Sequence, residues 1–504
     1  MTNKIPLSAL DAAFLLAETR STPMHVAGLQ IFNIPQGAPS YFVSELYAQM
    51  RDQPVTAAPF NYQVASGLAG RLQPSWEIKD NVDLDYHFRF SALPHPGGER
   101  ELGVLVSRLH SIHMDLSRPL WEFHLIEGLE HNRFAIYFKM HHALVDGIKA
   151  MRLLTLSNDP PGGFAPPIWA ANLGDRFAHI PQEEGLLGRL PSIVRRELDS
   201  LPSLARGVSA VAQAALGVSR DRDLTPVGQA PRTIFNVKIS GQRRVATFLA
   251  SLDRVKEIGQ AAGGTVNDVV LATCSGALRR YLKAQGRLPE ESLVAAVPVA
   301  LSRDGGGAAG NAVTNLMARL GTEVADVRRR FDIILRSSDA GKKHLREMTE
   351  AAALNYTMIL AAPAMLAVWV PELVGLTPPM YNLIISNVPG PREKIHFHGA
   401  ELAAMYPVSQ IAQGQALNMS VISYRDQLSF GFVACRDSVP SIQRLSGCMA
   451  ESLDELESTF LPSGATRRAK GAQPKRRAPR TARGTAEAAR KKPSKQAARS
   501  SRGR

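Results

Sequence analysis

The sequence predicts an α/β protein built on two sheets. Three observations carry that class. Strand-like and helix-like periodicities alternate in both halves of the chain. The 504 residues exceed one ordinary core, so two domains are the default. Hydrophobic residues at 45% and charged residues at 21% are globular proportions, which excludes a fully disordered, collagen-like or many-span membrane chain.

In the first segment, residues 1–156, Trp121 to Glu127 places Trp121, Phe123 and Leu125 against Glu122, His124 and Ile126, the alternation of a half-buried strand. Glu130 to Arg133 supplies a turn, and Phe134 to Met140 is an aromatic, β-branched second strand, so the pair reads as a hairpin. Residues 157–232 read as a crossover linker with helices: a Pro/Gly-rich loop over Ser157–Pro167, a helical stretch from Leu186 to Gly217, and a second loop over Thr225–Pro231. The second domain, residues 233–462, is expected to open with a strand over Val237–Leu249. A helix over Ser251–Ala262 should follow, with Ser251 as N-cap and Gly263-Gly264 ending it. Val266–Gln285 reads as a longer helix, and Leu293–Leu301, Leu383–Ser386, Ala416–Tyr424 and Leu428–Ala434 read as strands. Ala351–Pro371 holds no charge over 21 positions. Asn355, Tyr356, Thr357 and Pro363 make it a buried or membrane-surface helix pair rather than a bilayer span.

The net charge of +14 is not spread over the chain. Residues 466–504 hold 15 Lys/Arg and one acid, Glu487, leaving 44 bases and 44 acids in the body. The tail, residues 463–504, has no apolar periodicity and is expected to be disordered. It could attract anionic lipid or nucleic acid equally. Cys274, Cys435 and Cys448 are too few and too far apart for a disulfide framework or a zinc site, and fit a reducing cytoplasm. Asp11 and Glu18 flank the short apolar run Ala12–Ala17 and no cleavage site follows, which argues against a signal peptide.

The sharpest chemical signal is Met140-His141-His142-Ala143-Leu144-Val145-Asp146-Gly147, at the end of a strand and the start of an expected helix. Adjacent residues of a strand point to opposite faces, so one histidine can face a cleft while the other supports it. Asp146 can cap the helix or pair with a cation that braces the loop, and Gly147 permits a tight turn. A neutral imidazole accepts a proton at cellular pH and so suits activation of a hydroxyl for attack on a carbonyl. No Gly-x-Ser-x-Gly elbow accompanies it, so direct attack without an acyl-enzyme is the favoured chemistry. Paired histidines also occur as ordinary surface or core residues. A metal site would call for His-x-x-x-His spacing or nearby carboxylate ligands, and neither is present.

His-His-x-x-x-Asp-Gly resembles the signature of the CoA-dependent acyltransferase superfamily. Within it, the chain resembles the bacterial wax ester synthase/acyl-CoA:diacylglycerol acyltransferase family. Four other blocks match in order: Pro6 to Leu15 with Pro23-Met24-His25-Val26, Pro119-Leu120-Trp121, Asn267-Asp268, and Ser386-Asn387-Val388-Pro389-Gly390-Pro391. The resemblance implies two similar chloramphenicol acetyltransferase-like domains, each a mixed sheet flanked by helices, with a tunnel between them. It implies fatty acyl-CoA as donor substrate, diacylglycerol or a long-chain alcohol as acceptor, and no cofactor or metal. It gives His142 as general base, His141 as its support and Asp146 as a structural residue that holds the loop; Arg303 reads either as the cation that pairs with Asp146 or as a solvated loop arginine. Asn267 and Asp268 read either as a helix cap or as tunnel residues, and Pro119, Leu120 and Trp121 as structural. A lipid acceptor places the protein in the cytoplasm, peripheral at the inner membrane or lipid droplets. Two alternatives share features of the sequence: a condensation-type enzyme using a carrier-tethered donor, and a non-catalytic membrane- or DNA-binding protein led by the tail.

Overall fold

The computed structural model describes residues 4–7, 9–65, 74–145, 153, 158–171, 223–225, 228–300, 313–348, 356, 360, 366–376 and 378–461. Asp146, Gly147, Arg303, the helical stretch 186–217, most of 351–371 and the basic tail lie outside these residues. The strands are β1 (Lys4–Pro6), β2 (His25–Asn33), β3 (Tyr62–Val64), β4 (Ser75–Ile78), β5 (Phe88–Ala92), β6 (Trp121–Leu129), β7 (Arg133–His141), β8 (Arg243–Ser251), β9 (Val294–Ala300), β10 (Val313–Arg319), β11 (Leu383–Val388), β12 (His396–Phe397), β13 (Ala400–Val408), β14 (Leu417–Tyr424) and β15 (Gln427–Cys435). The longer helices are α1 (Ala9–Ala17), α2 (Phe42–Arg51), α3 (Glu99–Ser111), α4 (Leu252–Ala262), α5 (Val266–Ala284), α6 (Val327–Glu347) and α7 (Gln443–Phe460).

Two six-stranded mixed sheets form the framework, in the orders β12-β13-β2-β7-β6-β5 and β10-β9-β11-β14-β15-β8. The expected hairpin is β6–β7, and its turn residues His131 and Asn132 sit at φ of 63° and 55°, the left-handed pair a tight hairpin turn requires. Both faces of β7 are buried, which explains its apolar run Phe134–Phe138: Ala135 and Tyr137 join the cluster under α3, and Phe134, Ile136, Phe138 and Met140 the cluster on the other side. Ser251 caps α4 through its side chain, and Gly263 ends that helix in the left-handed conformation at φ of 71°.

Two features differ from the periodicity. The strand expected over Val237–Leu249 begins only at Arg243. The preceding residues are held as loop instead, with Ile239 N–H bonded to the Gln413 side chain at 3.1 Å and Asn236 bonded to the carbonyls of Tyr381 and Gly414. The second difference is an exchange. The chain leaves the second sheet after β11, adds β12 and β13 to the first sheet beside β2, and returns as β14.

The two sheets also meet through α3 and β8. Strand β8 is an edge and presents unpaired N–H groups. Ser107 and Ser111, one helical turn apart on α3, accept the N–H groups of Val245 and Arg243 at 2.9 and 2.8 Å. A helix from the first half thereby finishes an edge of the second. At Gly431 of β15 a Cβ would lie 1.7 Å from the Pro407 carbonyl oxygen of β13, so only glycine permits that approach between the sheets.

Candidate active site

Strand β7 ends at His141, and the chain turns immediately. His141 N–H bonds the Leu120 carbonyl at 3.0 Å, and His142 N–H bonds the Met24 carbonyl at 2.8 Å. The two histidine backbones are thus fixed from opposite sides, one by the residue preceding β6 and one by the residue preceding β2. The Pro119-Leu120-Trp121 block acquires a physical role here. Trp121 is fully buried, donates its indole N–H to the Phe60 carbonyl at 2.7 Å and stacks on Trp169, while Leu120 offers its carbonyl to His141.

The two side chains have different partners. His141 is buried opposite His25 of β2. Its Nδ1 accepts Ala143 N–H at 3.1 Å, which puts the ring proton on Nε2, and Nε2 faces Glu18 Oε2 at 3.5 Å. His142 is half-buried, and its ring stacks on Phe14 of α1 with centroids 4.0 Å apart.

Glu18, absent from the sequence-based site, is the junction of the cluster. Its Oε1 accepts His113 Nδ1 at 2.8 Å, and its Oε2 accepts the N–H of Met24 and faces His141. Burial alone would raise its pKa, but hydrogen bonds from His113 and His141 hold it at about 2. The same carboxylate raises the pKa of His113 above its ordinary value. The visible signal was limited to an acid beside an apolar run.

Behind His141, on the face of β6 and β7 that packs on α3, lies a buried polar network that the sequence also concealed. Lys139 Nζ pairs with Glu122 Oε2 at 3.0 Å and donates to the carbonyls of Leu109 and Ile112. His124 lies 3.1 Å from the same carboxylate oxygen. Burial would raise Glu122, but the His124 hydrogen bond and the Lys139 charge bring it to about 2. His110 lies between Tyr137 Oη and the Ser409 carbonyl, and burial lowers its pKa to about 3.

Asn267 and Asp268 separate in role. Asp268 is fully buried and completes a capping box with Thr265 at the start of α5, accepting its N–H at 2.9 Å and its hydroxyl at 2.7 Å. Asn267 reaches across to Asn387 at 3.4 Å, joining its block to the Ser386–Pro391 turn. That turn borders a cavity of about 780 Å³ whose walls include Lys256, Arg392 and Arg425, together with Asp253 and Asp426. Among the described residues, no group of three or more His, Cys, Asp or Glu is placed to hold a metal ion.

The histidine pair is fixed by backbone leading into the two strands that flank β7, in a chain of two six-stranded mixed sheets with one exchanged segment. The wax ester synthase/diacylglycerol acyltransferase catalytic domain matches residues 7–270, and the C-terminal domain of the same family matches residues 309–457. A probable diacylglycerol O-acyltransferase of Mycobacterium tuberculosis is 42% identical over 454 residues, 89% of this chain and 97% of that protein. The O-acyltransferase WSD of Acinetobacter baylyi is 39% identical over 458 residues, covering 90% and 97%. Among solved structures, the wax ester synthase/diacylglycerol acyltransferase from Marinobacter aquaeolei superposes with a TM-score of 0.72 at 39% identity, over 90% of this chain and 99% of that one. The first condensation domain of the calcium-dependent antibiotic synthetase, at 18% identity and a TM-score of 0.51 over 90% and 95%, shares the fold alone. Both family domains fall on one chain in order, and relatives near 40% identity span nine-tenths of it, so this chain belongs to the wax ester synthase/diacylglycerol acyltransferase family.

Proposed function

We propose that the chain transfers a fatty acyl group from acyl-CoA to the hydroxyl of diacylglycerol or of a long-chain alcohol, with His142 as general base. The observation that carries the reading is a family match whose catalytic domain contains the His141–His142 turn. The His142 ring takes the proton of the acceptor hydroxyl as its oxygen attacks the thioester carbonyl carbon. The tetrahedral intermediate collapses, the C–S bond breaks, and the CoA thiolate leaves with that proton. His141 keeps the turn in shape through Ala143 N–H. Arg392 beside the large cavity carries a charge of the sign the CoA phosphates need, while Lys256 is paired with Asp253 and Arg425 with Glu401.

The acceptor is a lipid, and the surface beside the site suits one. Val368 packs with Ala17, Met24 and Phe14, the ring stacked on His142. On the same segment Leu366, Trp369, Val370, Leu373 and Leu376 are exposed, Trp369 at 64% and Leu376 at 70%, and Leu16 of α1 is exposed as well. No helix among the described residues is long and apolar enough to cross a membrane, and this exposed apolar segment is the surface that would make peripheral contact with an inner membrane or lipid droplet. The 15 bases of residues 466–504 add attraction to anionic lipid, roughly 1 kcal/mol for each base near the surface.

Offering labelled oleoyl-CoA with diacylglycerol or hexadecanol, then separating products by thin-layer chromatography, tests the chemistry. Triacylglycerol or wax ester is expected, and no ester with any acceptor overturns the reading. A Leu366→Ser/Trp369→Ser/Leu376→Ser variant should lose about tenfold or more of its transfer to diacylglycerol in anionic vesicles, since each buried apolar side chain is worth about 1.5–3 kcal/mol. Transfer to a short soluble alcohol should be unchanged. Equal vesicle binding by variant and wild type would remove the surface from consideration.

A further inference from the structure

His113 follows α3 by two residues and takes no part in the acyl transfer set out above. Its ring lies between two oxygens. Nδ1 is 2.8 Å from Glu18 Oε1, and Nε2 is 2.9 Å from the Arg20 carbonyl. Neither oxygen can donate a hydrogen. A neutral imidazole carries one ring proton and would turn a lone pair on one of these acceptors, whereas the imidazolium donates to both. Two charged groups face the ring. Glu18 favours the cation, and Arg243 of β8, whose guanidinium reaches the Ser21 carbonyl at 2.8 Å, opposes it. Arg20 contributes its carbonyl. The Glu18 hydrogen bond prevails and raises the pKa.

Glu18 is fixed on its other side by the N–H of Met24, and Met24 in turn accepts His142 N–H at 2.8 Å. We infer that His113, as an imidazolium, is a positioning residue: it holds Glu18 on Met24 and His141, and so holds the His141–His142 turn in its working shape. The inference rests on His142 as the base. Two opposed protonation demands follow. The base must be neutral, which removes activity at low pH. The clamp must be charged, which removes activity as pH rises through the elevated pKa of His113.

The test is kcat and KM against pH for the full-length chain with oleoyl-CoA and a fixed acceptor, in the wild type and in His113→Asn, His113→Lys and His142→Ala. The wild type should lose kcat on the alkaline side. His113→Asn keeps a neutral donor near Glu18. It should show no alkaline fall and about tenfold lower kcat at its optimum with KM for oleoyl-CoA unchanged, the scale of one charge-assisted hydrogen bond. His113→Lys keeps a cation to higher pH and should move the fall upward. A wild type with no alkaline fall, or a fall that persists in His113→Asn, overturns the inference. A change in melting temperature without any change in the pH profile does so too. If His142→Ala is as active as the wild type, the reading of His142 as base is what fails.

Discussion

Replacing His142 by alanine lowers acyl transfer roughly 100- to 10,000-fold, the range set by loss of one positioned general base, while the protein stays folded. The separation of the two effects follows from the geometry. His142 is fixed to Met24 by its backbone N–H, a bond alanine retains, and its half-buried ring stacks on Phe14. Loss of that stacking should cost about 0.5–1.5 kcal/mol of stability. The neighbouring position behaves differently. His141→Ala removes the acceptor of Ala143 N–H and the partner of Glu18, so that variant should lose both rate and melting temperature. Labelled acyl-CoA turnover and thermal denaturation on the same preparations separate the cases. Wild-type turnover by His142→Ala would remove this imidazole from the chemistry.

Much of the framework was legible because its causes are local. The β6–β7 hairpin carries its alternation and its turn residues within one stretch, and α4 carries its own cap at Ser251 and stop at Gly263. Its neighbour α5 is the same kind of case, since Thr265 and Asp268 complete their box within one turn. The histidine pair was legible because a strand end and a glycine lie beside it. The rest depends on partners distant in sequence. Strand β13 reads AELAAMYPV, with Ala and Pro in place of a β-branched run, and it becomes a strand because β2 offers a free edge. Glu18 and His113 belong to different segments, and nothing near either one announces the other. Lys139 sits inside FAIYFKM and Glu122 inside WEFHLIEGL, where a charge reads as the solvent face of a half-buried strand. That reading fails because α3 covers the face.

Glu122 and Lys139 set up the largest expected effect on stability. Both are almost completely excluded from water, and each is the other's charge partner. Removing one member strips the other of its nearest charge partner, leaving Glu122 with only His124 and the more distant Arg89, so Glu122→Gln or Lys139→Met should each cost about 3–5 kcal/mol of unfolding free energy. The double variant should cost less than the sum of the singles, because the apolar replacement leaves no orphaned charge. Part of the cost remains, since the Leu109 and Ile112 carbonyls lose the Lys139 donor and His124 loses its carboxylate neighbour. A coupling of about 0.5–3 kcal/mol is the expected result of a double-mutant cycle by urea denaturation. The pH dependence has a definite sign. Glu122 has its pKa depressed from 4.5 to about 2, so its contribution is fully present above 4.5 and is lost as pH falls toward 2. Lys139 is pulled below its ordinary value by burial and is opposed by Glu122, so in Glu122→Gln the lysine becomes easier to deprotonate and the variant regains stability as pH rises. The wild type should show a smaller alkaline gain that begins at higher pH, because Glu122 keeps the Lys139 ammonium charged further up the pH scale. Single variants whose costs simply add would mean that the two charges are solvated independently, in spite of the 3.0 Å between them.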